Sequence, residues 1–235
     1  MKAFLLAAGL GTRLRPYTDS TPKCLLPVRG VPILEIWLSL CRAYGIGEVL
    51  VNTHAHADIV KSFLRTRAHG VQVTVIEERE LFGSAGTLRM NRQWVSSEPI
   101  FWVFYADVLT RMDLNAMLRF HSAESAATLG VYSVPDPQRC GIVSISSDHV
   151  ITDFVEKPAQ PKSNLAFAGI MVGTQQLIDA IPDGRITDLA FDVLPRLVGS
   201  MRAYRISDYL LDIGTVENYE AAQNSWPGLF TESAA

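Results

Sequence analysis

Residues 1–29 read MKAFLLAAGLGTRLRPYTDSTPKCLLPVR. The apolar run at 3–8 has the length and composition of a central strand in a parallel sheet. It runs straight into a loop carrying Gly9, Gly11, Thr12, Arg13 and Arg15, and Lys23 follows soon after. Gly9 and Gly11 put no Cβ in the way, so backbone N–H groups can approach a ligand closely. Backbone N–H groups and a guanidinium converging on one spot suit a polyphosphate. Three other readings compete. A dinucleotide fingerprint needs a third glycine, but Gly9-Leu10-Gly11 is followed by Thr12, Arg13 and Leu14. A P-loop needs Gly-Lys-Ser/Thr, and the chain has no such triplet. A plain glycine turn with solvated arginines would account for the glycine pair alone, but not for the whole string.

Outward from this stretch, Pro32 opens an expected helix over 32–44, with Ile33, Ile36, Trp37 and Leu40 on one face and Gly45 and Gly47 after it. Strands are expected at 48–52 and 71–76, with a helix over 57–67 between them. This βαβαβ order predicts right-handed crossovers and a parallel sheet covered by helices on both faces. Residues 77–88, EERELFGSAGTL, read as a loop entering a helix. Gly83 and Gly86 there permit close backbone approach at a helix N-terminus, although an ordinary glycine cap is the simpler account of the pair. The strand expected at 99–105 ends at Ala106-Asp107. A carboxylate just past the C-terminal end of a central strand lies where open α/β sheets bind ligands; a turn carboxylate is the competing reading.

Further on, a helix over 113–123 with Asp113 as its cap and a strand at 127–134 are expected. Strands at 142–146 and 150–156, joined by a polar turn at Ser147-Asp148, read as a hairpin rather than a βαβ unit. Glu156-Lys157-Pro158 reads by itself as a solvated charge pair before a proline turn. Helices are expected at 174–181 and 188–198, strands at 201–206 and 209–213, and a closing helix from 216 to about 224. His54 and His56 lack a carboxylate or cysteine at a useful spacing and read as loop or capping residues rather than a metal site.

The chain has 235 residues, 48% of them hydrophobic and 19% charged, enough for a well-buried α/β core. A formal net charge of −3 argues against a general nucleic-acid binder. Cys24, Cys41 and Cys140 are odd in number and far apart, with neither zinc spacing nor a disulfide framework, which fits a reducing cytoplasm. The N-terminal apolar run is too short for a signal peptide or a membrane span.

GLGTRLRPYT followed by PKCLLPV resembles the signature of the sugar-1-phosphate nucleotidyltransferases. FGSAGTL at 82–88, YADVL at 105–109, FVEKP at 154–158, AFAGIM at 166–171 and LLDIGTVENY at 210–219 extend the likeness over nearly the whole chain. The resemblance implies a Rossmann-like three-layer α/β/α fold, with a mixed, mostly parallel sheet and a small β sugar-binding subregion. It implies one unit over 1–235, the nucleotide-binding part at about 1–110 and the sugar-binding part at about 111–225, without the left-handed β-helix many members carry next.

The implied reaction joins an NTP and a sugar 1-phosphate, giving an NDP-sugar and pyrophosphate. The nucleotide is expected on Leu6, Ala8, Gly9, Gly11, Thr12, Arg13, Lys23 and Asp107, with Gly83, Ser84, Gly86 and Thr87 at its base and ribose. Lys23 would neutralise charge at the α-phosphate and Arg13 would hold the leaving pyrophosphate. Asp107 and Asp212 would hold Mg²⁺. Glu156 would bond sugar hydroxyls and Lys157 the sugar phosphate, with Gly141, Asn164, Ala168 and Gly169 beside the ring. Gly-Ser-Ala-Gly-Thr looks most like the guanylyltransferase version, so GTP and a manno-configured sugar 1-phosphate (mannose or a heptose) are the expected substrates. Transfer of a uridylyl or thymidylyl group and a catalytically silent NDP-sugar-binding homologue are the alternatives. Ala106 departs from the usual glycine. The resemblance also implies a cytoplasmic protein that feeds polysaccharide synthesis and whose relatives often form dimers.

Overall fold

The computed structural model describes residues 1–66, 69–184 and 186–229. The chain opens with β1 (Lys2–Leu6), the small hairpin β2 (Pro27–Val28) and β3 (Val31–Pro32), and α1 (Ile33–Ala43). Then come β4 (Glu48–Thr53), α2 (Ala57–Arg65), β5 (Gln72–Glu77) and α3 (Gly83–Met90). The middle is β6 (Phe101–Tyr105), β7 (Val108–Thr110), α4 (Leu114–Phe120) and β8 (Ala127–Ser133). The last part holds β9 (Gly141–Ile145), β10 (Ile151–Glu156), β11 (Leu165–Gly173), α5 (Gln175–Asp179), β12 (Met201–Arg205), β13 (Leu210–Asp212) and α6 (Val216–Ser225).

Among the described residues, nine strands make the main sheet, which runs β10-β9-β11-β6-β1-β4-β5, with β8 on β11 and β12 on β8. β1, β4, β5 and β6 are mutually parallel, and β11 is antiparallel to β6, β8 and β9. Since β12 parallels β8 and β10 opposes β9, only β10 and β11 run against the rest, so the sheet is mixed and mostly parallel as expected. β4 and β5 lie to one side of β1 and β6 to the other. The order therefore reverses between β1 and β6, and such a switch point opens a crevice at the strands' C-terminal ends.

Alternation along the strands makes the layers. Ala3, Leu5, Val49, Val51, Trp102 and Phe104 pack on one side with α1, α4 and α6. Phe4, Leu50, Phe101, Val103 and Met171 pack on the other with α3, α5 and Leu189–Leu194. Period-2 side chains on a sheet covered on both faces produce the near-continuous apolar runs seen in the sequence. Trp37 of α1 stacks on Phe104 with ring centroids 4.6 Å apart; burial of each such ring contributes roughly 1.5–3 kcal/mol. Gly45, at φ +70, turns the chain after α1. The three cysteines are free, and burial pushes the thiols of Cys24 and Cys41 up to about 12. No helix among the described residues is long and apolar enough to cross a membrane.

Several boundaries differ from expectation. The first strand stops at Leu6, because the Ala7 N–H leaves the ladder for the Asn52 side chain at 2.7 Å. The helix expected over 57–67 is described to Arg65; residue 67 lies outside the described residues. The helix expected over 188–198 is one wide turn, Leu189–Val193, followed by a tight one, Leu194–Leu197. Pro195 stands in the second turn and has no N–H to continue a ladder. β7 and β11 were not anticipated as strands. β7 is only three residues long, and β11 is interrupted by a glycine at φ +69.

Candidate active site

The cleft begins at a fork in the sheet. Met171 of β11 pairs with Leu129 on one edge and Val103 of β6 on the other. Ala166 pairs with Tyr132 on the first edge and Ile142 of β9 on the second. β6 and β9 thus share one edge of β11, and the register breaks between Phe167 and Met171. Gly169 sits in that gap at φ +69, and a Cβ there would lie 2.9 Å from the Cβ of Tyr105. Only glycine fits both the left-handed backbone and this contact. The fork opens a cavity of about 260 Å³ between the end of β6 and the β9–β10 hairpin, with Asp107, Glu156, Lys157, Ala168, Gly169 and Asp212 on its walls.

The two-stranded pair β7–β13 brings the two aspartates together. Asp212 registers with Val108, and the Ile213 N–H donates to the Asp107 carbonyl at 2.9 Å. Lys23 Nζ lies 2.5 Å from Asp107 Oδ2. A Cβ built on Gly214 would lie 2.7 Å from Asp212 Oδ1, 2.9 Å from Arg13 Nη2 and 3.5 Å from Lys23 Nζ. Arg13, Lys23 and Asp212 therefore converge on the empty side of one glycine, with Asp107 held by Lys23. Asp212 keeps solvent access along the cleft, yet protein encloses its other sides. That enclosure raises its pKa, and the negative charge of Asp107 raises it further; the Gly214 N–H, Lys23 and Arg13 pull it back only in part. Two carboxylates that burden each other with negative charge, presenting hard oxygen donors, fit Mg²⁺, which commonly takes one or two carboxylates plus phosphate oxygens. Among the described residues no group of three or more His, Cys, Asp or Glu that could hold a metal ion is present, and Asp107 and Asp212 are a pair that would be available to one.

A second cavity, about 160 Å³, adjoins the first at Tyr105 and Asp107 and is lined by Leu6, Gly9, Lys23 and Ser84. Gly9 and Leu10 are exposed above it. Gly11, at φ +65, starts the turn that carries Thr12 and Arg13; a Cβ on it would meet Thr18 Cγ2 at 2.8 Å, so this glycine serves the loop's own packing. Ala8 is buried and Thr12 exposed, and neither lines the cavities. Ala106 is also buried. Its N–H donates to the Leu6 carbonyl at 3.0 Å and its backbone is outside the left-handed region, so the methyl group brings no strain.

At the β9–β10 hairpin, Glu156 is mostly enclosed and a Cβ on Gly141 would lie 2.6 Å from its Oε2. Burial raises the Glu156 pKa, partly opposed by Lys157. Lys157 takes a left-handed φ of 49°, which swings it off the strand; its Nζ stands 3.7 Å from Glu156 Oε1 and 5.6 Å from the Phe191 ring. The charge pair is thus part of a cavity wall.

Four expected nucleotide residues are occupied by the chain itself. A Cβ on Gly83 would lie 2.3 Å from the Thr187 carbonyl oxygen. That oxygen accepts from the N–H groups of Ala85 and Gly86, both at 3.1 Å. The N-terminus of α3 is therefore capped by residue 187, and the close approach that Gly83 and Gly86 allow is used internally. Ser84 Oγ donates to Asp188 Oδ2 at 2.8 Å. The Thr87 hydroxyl is buried against Glu78. Asn164 is exposed and bonds Val134 through its carbonyl at 2.9 Å. It lies beyond the Ala166–Ile142 rung, on the far side of that pairing from the fork, and does not line the cavity.

Tyr105 and Asp188 were missed as site residues. The Tyr105 hydroxyl is buried between the two cavities, beside Ser84, whose Oγ accepts from the Leu189 N–H and donates to Asp188. Burial raises its pKa, and Asp188 raises it further. The only signals in sequence were an aromatic residue at a strand end before an aspartate, and Thr-Asp before a helical turn.

The family model described as nucleotidyl transferase matches residues 2–227. A mannose-1-phosphate guanylyltransferase from Mycobacterium tuberculosis is 33% identical over 92% of this chain and 62% of its own length. A UTP–glucose-1-phosphate uridylyltransferase from Synechocystis is 32% identical over 93% of this chain and 61% of its own length. The chain thus spans less than two thirds of these curated relatives. The crystal structure of HddC from Yersinia pseudotuberculosis superposes with a TM-score of 0.82 at 24% identity, covering 96% of this chain and 99% of that one, which shows the shared fold. With its sheet, its fork and its glycine-rich loop in that arrangement, the chain belongs to the nucleotidyl transferase family.

Proposed function

We propose that this chain transfers GMP from GTP to a manno-configured sugar 1-phosphate, mannose or D-glycero-D-manno-heptose, releasing pyrophosphate and forming a GDP-sugar. One observation carries the reading: Arg13, Lys23, Asp107 and Asp212 converge beside the glycine loop, at the junction of two cavities. The attacking phosphate oxygen and the α-phosphate are both anionic, so the site must neutralise charge and hold the reacting atoms in line. Arg13 and Lys23 supply fixed positive charge where the triphosphate meets the sugar phosphate. Bound by Asp107 and Asp212, Mg²⁺ would add charge neutralisation at the phosphate oxygens. Lys157 holds the incoming phosphate and Glu156 accepts from sugar hydroxyls. A phosphate monoester is already ionised near neutral pH, so no side chain has to act as general base.

Gly-Ser-Ala-Gly-Thr at 83–87 and the guanylyltransferase relatives favour GTP. Transfer of a uridylyl group is the second reading, because the uridylyltransferase relative is almost as similar. The test is pyrophosphate release with Mg²⁺, each NTP being offered against mannose, manno-heptose, glucose and amino-sugar 1-phosphates. Turnover confined to GTP and a manno-sugar is the expected result. Turnover confined to UTP or TTP overturns the base assignment. Silence with every pair, from a folded protein that binds an NDP-sugar, overturns the enzymatic reading.

A further inference from the structure

One large apolar side chain on the wall of the larger cavity has no part in the chemistry above. Phe191 lines that cavity and is 57% exposed. The turn that carries it is tightly bonded. Asp188 Oδ1 accepts from the N–H groups of Ala190 at 2.8 Å and Phe191 at 3.1 Å, and the Asp188 N–H donates to Asp192 Oδ2 at 2.7 Å. The two aspartates close the turn 188–192 reciprocally, in the manner of a capping box. The turn is also tied to α3. Ser84 Oγ donates to Asp188 Oδ2 and accepts from the Leu189 N–H, both at 2.8 Å, and the Thr187 N–H donates to the Phe82 carbonyl at 2.9 Å. A phenyl ring is therefore presented at the cavity's rim by a backbone with little freedom of its own.

What the ring meets is Lys157. The ammonium lies 5.6 Å from the ring centroid and 3.7 Å from Glu156 Oε1. A cation within about 6 Å of an aromatic ring centroid is attracted by the ring quadrupole. The Lys157 side chain is 58% exposed, and a lysine stem has many rotamers to lose when its head is fixed. The left-handed backbone at Lys157 turns the residue off β10 but leaves the stem free. The Glu156 pair is partly exposed and long, and such a pair holds a lysine only weakly. The Phe191 ring supplies a second point of restraint.

We infer that Phe191, seated by Asp188, is a positioning residue that holds the Lys157 ammonium at the cavity before the sugar phosphate arrives. The inference deepens the proposed function and rests on its placing of the sugar phosphate at Lys157. Without the ring, the lysine has to be ordered at the moment of binding, and that cost falls on sugar-phosphate affinity. Neither Phe191 nor Lys157 lines the smaller cavity, so the nucleotide is bound as before.

The experiment compares Phe191→Ala, Phe191→Tyr and Asp188→Ala with the wild type, and repeats Phe191→Ala in a Lys157→Ala background. Each substrate of the pair that the wild type turns over fastest is titrated at saturating levels of the other. Phe191→Ala should raise the sugar-phosphate KM by about three- to tenfold, with kcat and the nucleotide KM within about twofold. Phe191→Tyr keeps a ring and should stay close to wild type. In the Lys157→Ala background Phe191→Ala should add nothing, because its effect passes through the lysine. In the ligand-free protein, the Lys157 ε-protons should show an upfield ring-current shift by NMR, lost in Phe191→Ala, reduced in Asp188→Ala and kept in Phe191→Tyr. A folded Phe191→Ala with an unchanged sugar-phosphate KM overturns the inference, as does an equal rise in both Lys157 backgrounds. An unchanged shift in Asp188→Ala overturns the part given to Asp188. If the wild type turns over no substrate pair, the functional reading falls. The placing of Lys157 is then decided by NMR alone, and ε-protons without an upfield shift overturn it.

Discussion

Gly214→Ala separates the geometry of the charged cluster from the stability of the fold. Gly214 is not in the left-handed region, so alanine can adopt its backbone. The new Cβ would stand 2.7 Å from Asp212 Oδ1 and 2.9 Å from Arg13 Nη2. Ordinary carbon contacts lie near 3.5–4.0 Å, so each group must retreat by about 1 Å. Both atoms are ends of side chains, so the fold can absorb the change, and the loss of glycine's unfolded-state freedom offsets part of the cost. A net effect within about 1 kcal/mol corresponds to a Tm shift of roughly 2–4 °C in a chain of this size. For chemistry that depends on alignment, a 1 Å misplacement costs about 10²-fold. Pyrophosphate release at saturating Mg²⁺ and substrates, together with thermal unfolding by circular dichroism, gives both numbers. Wild-type turnover with an unchanged Tm would show that the reacting groups do not meet beside Gly214. A large fall in Tm accompanying the lost turnover would mean that the alanine disrupts the fold, which also refutes the reasoning.

Lys23→Ala removes the partner of Asp107 and one preorganised charge; turnover should fall by ~10²–10³, and near-wild-type turnover would remove Lys23 from the reaction. Gly169→Ala forces a Cβ into the left-handed region and onto Tyr105. It should cost about 2–5 kcal/mol, a Tm loss of roughly 5–20 °C, and a Tm within 2 °C of wild type would contradict the fork geometry. Glu156 binds its proton more tightly folded than unfolded, chiefly through burial. Its contribution to stability is therefore complete below the ordinary carboxylate pKa and declines as pH rises through the raised value. Glu156→Gln should flatten that decline, so that its Tm exceeds that of the wild type at neutral pH but not in acid; identical pH profiles would place the effect elsewhere.

Much of this protein was legible from local pattern. The run at 3–8 and its glycine loop, the βαβαβ order, the hairpin at 142–156 and the aspartate after β6 all follow from signals within a few residues of each other: period, turn chemistry and strand ends. Arg13, Lys23, Asp107, Glu156 and Lys157 could be named because motif and position coincide. What the chain alone could not decide were pairings over long separation. β11 was unread because Gly169 breaks its period at the residue that opens the cleft, and β7 because three residues carry no period. Only the family resemblance paired Asp212 with Asp107 in advance; in space it is the β7–β13 pairing that brings them together.

The same limit explains the misplaced residues. A glycine permits close approach without saying to what, and at 83 and 86 the approaching atom is the carbonyl of Thr187. A threonine in a motif points toward or away from a ligand according to the helix it sits on, and Thr87 points to Glu78. Sequence by itself determined the parallel part of the sheet, its helical layers and the chemical character of the crevice, because those depend on periodicity and residue type. Tertiary structure alone decided which groups converge and which glycines remain open, because each depends on contacts between segments whose separation no local pattern encodes.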